Sequence, residues 1–451
     1  MRVVVLGGGL TGLATAWHLR EDAEVTVLEA ADRLGGQVRG IELADTHLDV
    51  GADAMLARQP EAVELVHELG LGDDVVHPRT GAVWLWVGGR LRPLPTGTVM
   101  GVPAEVGSVA RSGVLSSAAV ARAAAEPLLP GTDPGEDQSL GGLVTRRFGR
   151  EVADRLVEPL LSGVYAGAID RMSAAATSPP LWAAAQHGRL TPALREHRRR
   201  TAGSDAPVFA TVRGGLGRVI EALAKELGGR VRTGSPVDEV RRGPGGWRVR
   251  SGDEVLEADH VVVALPAASA AGLLATVAPE AAAGLGELAT ASVAVVALAY
   301  DRADVADVPE GSGVLVPRIE GRLVKAATWS SRKWPHLAEA DRFLLRASVG
   351  RVDDRRGLEL DDHELALRVD AEVRWMARIR RPAVERRVVR WDDALPQYDV
   401  GHLRRVARIH GAVAAVEGLH LGGAALEGVG LPARVRDARR IAAEITGDAA
   451  R

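Results

Sequence analysis

Two hydrophobic periods alternate along this chain. Short apolar runs bounded by glycine, proline or acidic residues read as strands. Stretches with an apolar residue every third or fourth position read as helices. The first run predicts a buried strand over Arg2 to Leu6, then a helix over Leu13 to Arg20 and a second strand over Glu24 to Leu28. Val38 to Leu48 is β-like, and Pro60 opens a helix through Leu69 with Val63, Val66 and Leu69 as its stripe. Residues 83–97 read as a hairpin turning at Gly88-Gly89, with Trp84 and Trp86 alternating onto one face as core. Residues 98–127 suggest helices, 130–138 a polar loop, and Leu140 to Leu161 one helical run. That run carries Arg146, Arg147, Arg150 and Arg155, which read as a solvated face.

From residue 208 the pattern returns to strand, glycine turn and helix, and Asp259 to Pro266 is a continuous apolar strand of the parallel-sheet kind. The nucleotide-binding pattern therefore resumes after an insertion. Residues 291–351 alternate like strands, Asp361 to Met376 reads as a helix and Val388 to Trp391 as a strand. The chain closes with a strand over Leu419 to Leu421, a glycine turn and a helix over Ala433 to Ile445.

The first turn carries candidate chemistry. Gly7, Gly9 and Gly12 have GxGxxG spacing, with Gly8, Leu10 and Thr11 between them. The first glycine permits the tight turn, the second lets a pyrophosphate approach the backbone, and the third lets helix and strand pack closely. Glu29, at the end of the second strand, can bond ribose hydroxyls. Arg33-Leu34-Gly35-Gly36 follows, an extension more typical of FAD proteins than of NAD dehydrogenases.

Composition narrows the classes. The chain has 451 residues, 46% of them hydrophobic and 25% charged, which fits a globular protein of two or three domains. A net charge of −3 suggests no nucleic-acid affinity. With no cysteine there is no disulfide, thiolate catalysis or cysteine-held metal. No stretch reads as a signal peptide, and the apolar run Ala289 to Tyr300 is too short to span a bilayer, so a cytoplasmic location is expected with peripheral membrane contact left open.

Four stretches carry a resemblance that covers the whole chain: RLVEPLLSGVYAG at 155–167, VRGGLGRVIEAL at 212–223, SSRKWP at 330–335 and ALPQYDVGH at 394–402. They are similar to the oxygen-dependent protoporphyrinogen/coproporphyrinogen oxidases, a branch of the FAD amine-oxidase superfamily. The resemblance implies an α/β fold: a split Rossmann-type FAD domain (1–60, 208–270 and 410–451), a mixed-sheet substrate domain (61–97 and 271–409) and a helical insertion (98–207).

It also implies roles. Gly7 to Gly12 hold the pyrophosphate, and Glu29 and Ala30 the adenosine end. Gln37 stands where the family usually has Lys or Arg. Gly51, Ala52, Asp53 and Ala54 lie by the isoalloxazine, Val237 holds adenine through its backbone, and Trp391 with Val429, Gly430 and Leu431 completes the flavin pocket. Gly163 lines the opposite, substrate face, where Tyr165 either stacks or packs.

The implied reaction is three two-electron oxidations of a porphyrinogen, with oxygen as final acceptor and hydrogen peroxide released. The motif spellings resemble the Gram-positive, actinobacterial type, which implies coproporphyrinogen III rather than protoporphyrinogen IX. The former has four propionates against two, and Arg90, Arg92, Arg146, Arg332 and Lys333 are candidate partners for them. A ferrochelatase or another haem-pathway enzyme is a candidate partner. Two departures, Ala168 for the family's aspartate and Gly423-Ala424-Ala425-Leu426 for Gly-Asn-Ser/Ala-Tyr, motivate an alternative, an inactive FAD-binding scaffold. A flavin amine oxidase is the other alternative, although Ser292 to Tyr300 lacks the lysine those enzymes place near the flavin.

Overall fold

The computed structural model describes residues 1–131, 133–201 and 207–447. Thr132 of the expected polar loop, residues 202–206 at the end of the expected insertion and the last four residues lie outside the described residues.

Two sheets carry the architecture. The first is fully parallel and five-stranded. In spatial order its strands are Val231–Arg232, Glu24–Leu28, Arg2–Leu6, His260–Val263 and Leu419–Leu421. Its central strands are apolar throughout because helices cover both faces. Leu10–Leu19, Gly217–Leu227 and Leu431–Thr446 pack on one side, and Ala267–Leu274, Pro279–Gly286 and His402–Ala414 on the other.

The second sheet is mixed and seven-stranded: Glu385–Pro396, Thr290–Asp301, Arg342–Val349, Val324–Thr328, Gly313–Leu315, Trp84–Val87 and Arg90–Pro93. One face is sealed by Asp362–Ala377, which buries Leu345, Ala347 and Val349. The apolar run at 289–300 is thus the interior of a sheet. Among the described residues no helix is long and apolar enough to cross a membrane.

Several expectations are corrected. The first helix begins at Leu10, directly after the glycine turn. Val38 to Leu48 is a hairpin whose turn residues, Ala44 and Asp45, both have positive φ. Residues 98–103 form a small antiparallel ribbon before helices start at Val106. Phe209–Val212 pairs antiparallel with Met55–Leu56 and Val75–Val76 and does not join the parallel sheet.

The Leu140 to Leu161 run is not one helix. It stops at Phe148, where Gly149 takes φ +94°, and re-forms with one π-turn at Ala153–Val157 before Glu158–Tyr165. Pro159 cannot donate to a carbonyl of the preceding turn, which accounts for the break in the α ladder. Nor is its arginine face wholly solvated. Arg147 is buried against Glu126, whose carboxylate accepts from Arg147 Nε at 2.9 Å and from the amides of Leu190 and Thr191 at 2.9 and 3.0 Å. Removing one partner strands a buried charge. Glu126→Ala is expected to lower the unfolding free energy by about 3–5 kcal/mol in a denaturant titration. A loss below about 1 kcal/mol would mean the pair behaves as a surface bridge.

Candidate functional site

Gly7 has φ +107° and sits where a Cβ would lie 2.5 Å from Ala264 O. A Cβ on Gly12 would lie 2.0 Å from Gly7 O. Both positions therefore require glycine. At Gly9, by contrast, a Cβ would have no atom within 4 Å, and no side chain caps the helix that starts there. The first amides of that helix face this open space with the positive end of its dipole. Leu10, Thr11 and Gly12 are otherwise buried.

Glu29 braces the turn, accepting from Gly8 N at 2.7 Å and Ala31 N at 2.8 Å. Ala30 is exposed beside it, and Val237 lies half-buried at the margin of the core under the same sheet. Gly35 donates to Gly8 O at 2.8 Å, so the Arg33–Gly36 extension closes over the turn. Bare helix amides, an acid at the ribose position and glycines that no other residue could replace fit the diphosphate and ribose of a dinucleotide.

A second cluster forms where the two sheets meet. A Cβ on Gly51 would collide with Gln37 O at 2.0 Å and would crowd the Trp391 ring at 3.2 Å. Trp391 Nε1 donates to Val50 O at 3.2 Å, and the Gln37 amide donates to Ala394 O. Asp53 accepts from Lys333 Nζ at 2.9 Å and pairs with Arg346 Nη2 at 2.8 Å. Burial would raise the Asp53 pKa, but Arg346 and Lys333 together hold it down at about 2. Ala52 and Ala54 are half-buried in the same loop. From the other side Val429 and Gly430 lead into the helix Leu431–Thr446, again with no side-chain cap. In its first turn Arg434 is 6% exposed, and its Nε and Nη2 have no protein partner.

Helix Glu158–Tyr165 closes the third side. Gly163 is exposed, and a Cβ there would meet only Leu315 Cδ2, at 3.7 Å. Tyr165 tilts against Tyr398 with ring centroids 5.5 Å apart, its carbonyl accepts from Gln397 Nε2 at 2.8 Å, and burial pushes its pKa to about 12. Tyr398 stacks on His402 and donates to Ala424 O, while His402 lies 3.4 Å from Leu426 O. Leu426 itself fills the core. The unusual Gly423–Leu426 spelling thus keeps a loop bonded by the ALPQYDVGH segment. Ala168 accepts the amides of Arg171 and Met172 through its carbonyl, a backbone role that needs no carboxylate.

The five cationic candidates do not converge. Arg90 is exposed on the edge strand of the seven-stranded sheet, and Arg92 is half-buried with its Nε unpartnered. Arg146 is exposed on the helical insertion, and Arg332 pairs with Glu310. Lys333 alone reaches the seam, through Asp53. Arg346 is the cation the sequence reading missed; it sits in an ordinary strand pattern, and its partners come from residues 49–53.

Lys325 was also missed. It is 1% exposed and points at Ser162 O, 3.5 Å away, beneath the Gly163 helix. Burial, aided by Arg351 and opposed by Glu158, lowers its pKa to about 7. Among the described residues no cluster of His, Cys, Asp or Glu could hold a metal ion.

The fold and the glycine cradle define a dinucleotide-binding α/β protein with a second, mixed sheet against the cofactor space. The chain belongs to the flavin-containing amine oxidoreductases, whose family model matches residues 10–446. It is 34% identical over 446 residues to the coproporphyrinogen III oxidase of Bacillus subtilis, covering 95% of this chain and 94% of that one. It is 37% identical over 447 residues to the coproporphyrinogen III oxidase of Mycobacterium tuberculosis, covering 97% and 95%. A crystal structure from Exiguobacterium, of a protein provisionally named a protoporphyrinogen oxidase, matches with a TM-score of 0.89 at 32% identity over 99% of each chain.

Two outcomes follow from this geometry. Gly12→Ala forces a methyl onto Gly7 O, and we expect a stability loss of about 3 kcal/mol together with flavin loss, read by chemical unfolding and the flavin absorbance of purified protein. Retention of full flavin would contradict the cradle. The second concerns Lys325, whose folded pKa near 7 lies below its unfolded 10.5. Between those values the unfolded chain binds the extra proton, so stability rises with pH, by at most about 1.4 kcal/mol per unit. The penalty is fully present below pH 7. Lys325→Met is expected to flatten that rise in unfolding curves from pH 7 to 10; an unchanged slope would mean the amine is solvated.

Proposed function

We propose that this chain is an FAD-dependent oxidase that converts coproporphyrinogen III to coproporphyrin III. Three molecules of oxygen accept the six electrons and six hydrogens and leave as three hydrogen peroxides. The observation that carries this reading is the likeness to proteins named coproporphyrinogen III oxidase along nearly the whole chain.

In this reading Gly7 to Gly12 receive the pyrophosphate, Glu29 and Ala30 the ribose, and Val237 the adenine. Gln37, Gly51 to Ala54, Trp391 and Val429 to Leu431 surround the isoalloxazine. Bound there, FAD supplies the two-electron acceptor. The chain's own work is positioning and exclusion. Gly163 leaves the substrate face clear of a side chain, Tyr165 and Tyr398 wall it, and Trp391 ties the seven-stranded sheet to the loop at Gly51. We assign the three-part domain division above the same roles: cofactor, substrate and insertion. The free haem-pathway product suits hand-over to a ferrochelatase-type partner. The provisional protoporphyrinogen name of the Exiguobacterium structure supports a second reading, protoporphyrinogen IX as substrate.

The test is a fluorescence assay with freshly reduced coproporphyrinogen III and protoporphyrinogen IX side by side in air, with peroxide followed in parallel. Faster coproporphyrin formation with three peroxides per porphyrin is expected. Preference for protoporphyrinogen would transfer the assignment to the second reading. Inertness of flavin-loaded protein toward both would overturn the porphyrinogen assignment.

A further inference from the structure

The strand Arg342–Val349 changes character along one face. Leu344 is covered by the hairpin residues Leu43, Leu48 and Val50. Two and four residues on, Arg346 and Ser348 share that face but are only half-buried. Across the ladder they pair with Thr328 and Ala326, also half-buried, while Leu345, Ala347 and Val349 on the opposite face are fully enclosed. The apolar seal therefore ends at Leu344, and a polar floor begins at Arg346. Leu315, which pairs with Ala326, is the side chain nearest Gly163. Arg346 and Ser348 stand two strands from it, about 10 Å away. The floor and the exposed glycine thus lie on the same face of the sheet.

Arg346 is held firmly on that face. Nη1 donates to Gly51 O at 2.8 Å and Asp49 O at 3.1 Å, and Nη2 meets Asp53 Oδ1 at 2.8 Å. Among the described residues nothing accepts from its Nε, one of the five donors of a guanidinium. Lys333 shares the same Asp53 carboxylate, so two cations face one anion with side-chain exposures of 14–18%. The other nearby carboxylate, Asp49, is turned away to Leu216 N at 3.0 Å and His47 at 3.7 Å. Sheltered charge left over in this way calls for an anionic partner.

We propose that Arg346, fixed by Asp53 and reinforced by Lys333, receives a carboxylate of the substrate and is a specificity-determining residue for the porphyrinogen richer in propionates. This rests on the porphyrinogen reading above. Asp53 is a positioning residue: it spends part of the cations' charge to lock the fork, and leaves the free edge for the ligand. A planar fork suits a carboxylate better than a flexible ammonium does.

The experiment uses flavin-loaded wild type, Arg346→Gln, Arg346→Lys and Asp53→Asn. It reads KM and kcat for both porphyrinogens, binding of oxidised coproporphyrin III by its absorbance shift, and flavin content. Arg346→Gln is expected to raise KM for coproporphyrinogen III at least tenfold and to weaken coproporphyrin binding equally. Its effect on protoporphyrinogen IX is smaller, and flavin content is unchanged. Arg346→Lys restores part of the loss. Asp53→Asn frees the fork from its lock but leaves both cations, so it weakens coproporphyrin binding less than Arg346→Gln does. Equal losses for both substrates, loss of flavin in Arg346→Gln, or coproporphyrin binding weakened as much by Asp53→Asn as by Arg346→Gln would make the cluster a brace for the cofactor loop and overturn the proposal. Wild type inert toward both porphyrinogens is the separate failure of the functional reading, and coproporphyrin binding still decides the carboxylate site in that case.

Discussion

The contact between Gly12 and the carbonyl of Gly7 sets the geometry on which everything else rests. With no side chain between them, the helix Leu10–Leu19 lies directly on the strand it follows. That closeness fixes where its bare N-terminal amides point, and it leaves the space before Gly9 open. Glu29 and Gly35 then need only short bonds to Gly8 to frame the opening. A larger residue at either glycine would move the helix, and the amides would no longer converge on one phosphate-sized position.

The second constraint is electrostatic and lies at the seam between the sheets. The parallel sheet ends in loops, and the seven-stranded sheet presents one face to them. Apolar contacts join the two at Leu43, Leu48, Val50 and Leu344, but beyond Leu344 they give way to Asp53, Lys333 and Arg346. A seam made only of apolar residues would close. One carrying two cations and a carboxylate stays partly wet and keeps its spacing, because each charge needs its partners or water.

Much of this was legible in the chain. GxGxxG between a strand and a helix, with an acid at the end of the next strand, is a local pattern and its geometry is local too. The continuous apolar run at 260–263 announced a strand covered on both faces, and it lies inside the parallel sheet, between Arg2–Leu6 and Leu419–Leu421. Phe209–Val212 opens the resumed strand–turn–helix pattern yet pairs outside that sheet, because strand, turn and helix look the same whichever sheet the strand enters. The long helix over 140–161 was overrun because Gly149 and Pro159 act through backbone geometry that apolar spacing does not encode. Arg147 looked solvated because its partner, Glu126, lies beyond any helical spacing.

The site residues divide along the same line. Glycines and helix ends work through the backbone, so their roles follow from neighbouring sequence. A charged side chain works through its partners, and those are chosen by the fold. Lys333 and Arg332 are adjacent in the chain, yet one turns inward to Asp53 and the other outward to Glu310. Arg346 sits in an unremarkable alternating strand, and nothing nearby in sequence marks it. It matters because the seven-stranded sheet packs against the loop at 49–53 and so brings it to Gly51, 295 positions earlier in the chain. Cation count could therefore suggest a carboxylate-binding protein, but only the packing of a sheet on a distant loop sets Arg346 and Lys333 around one Asp53.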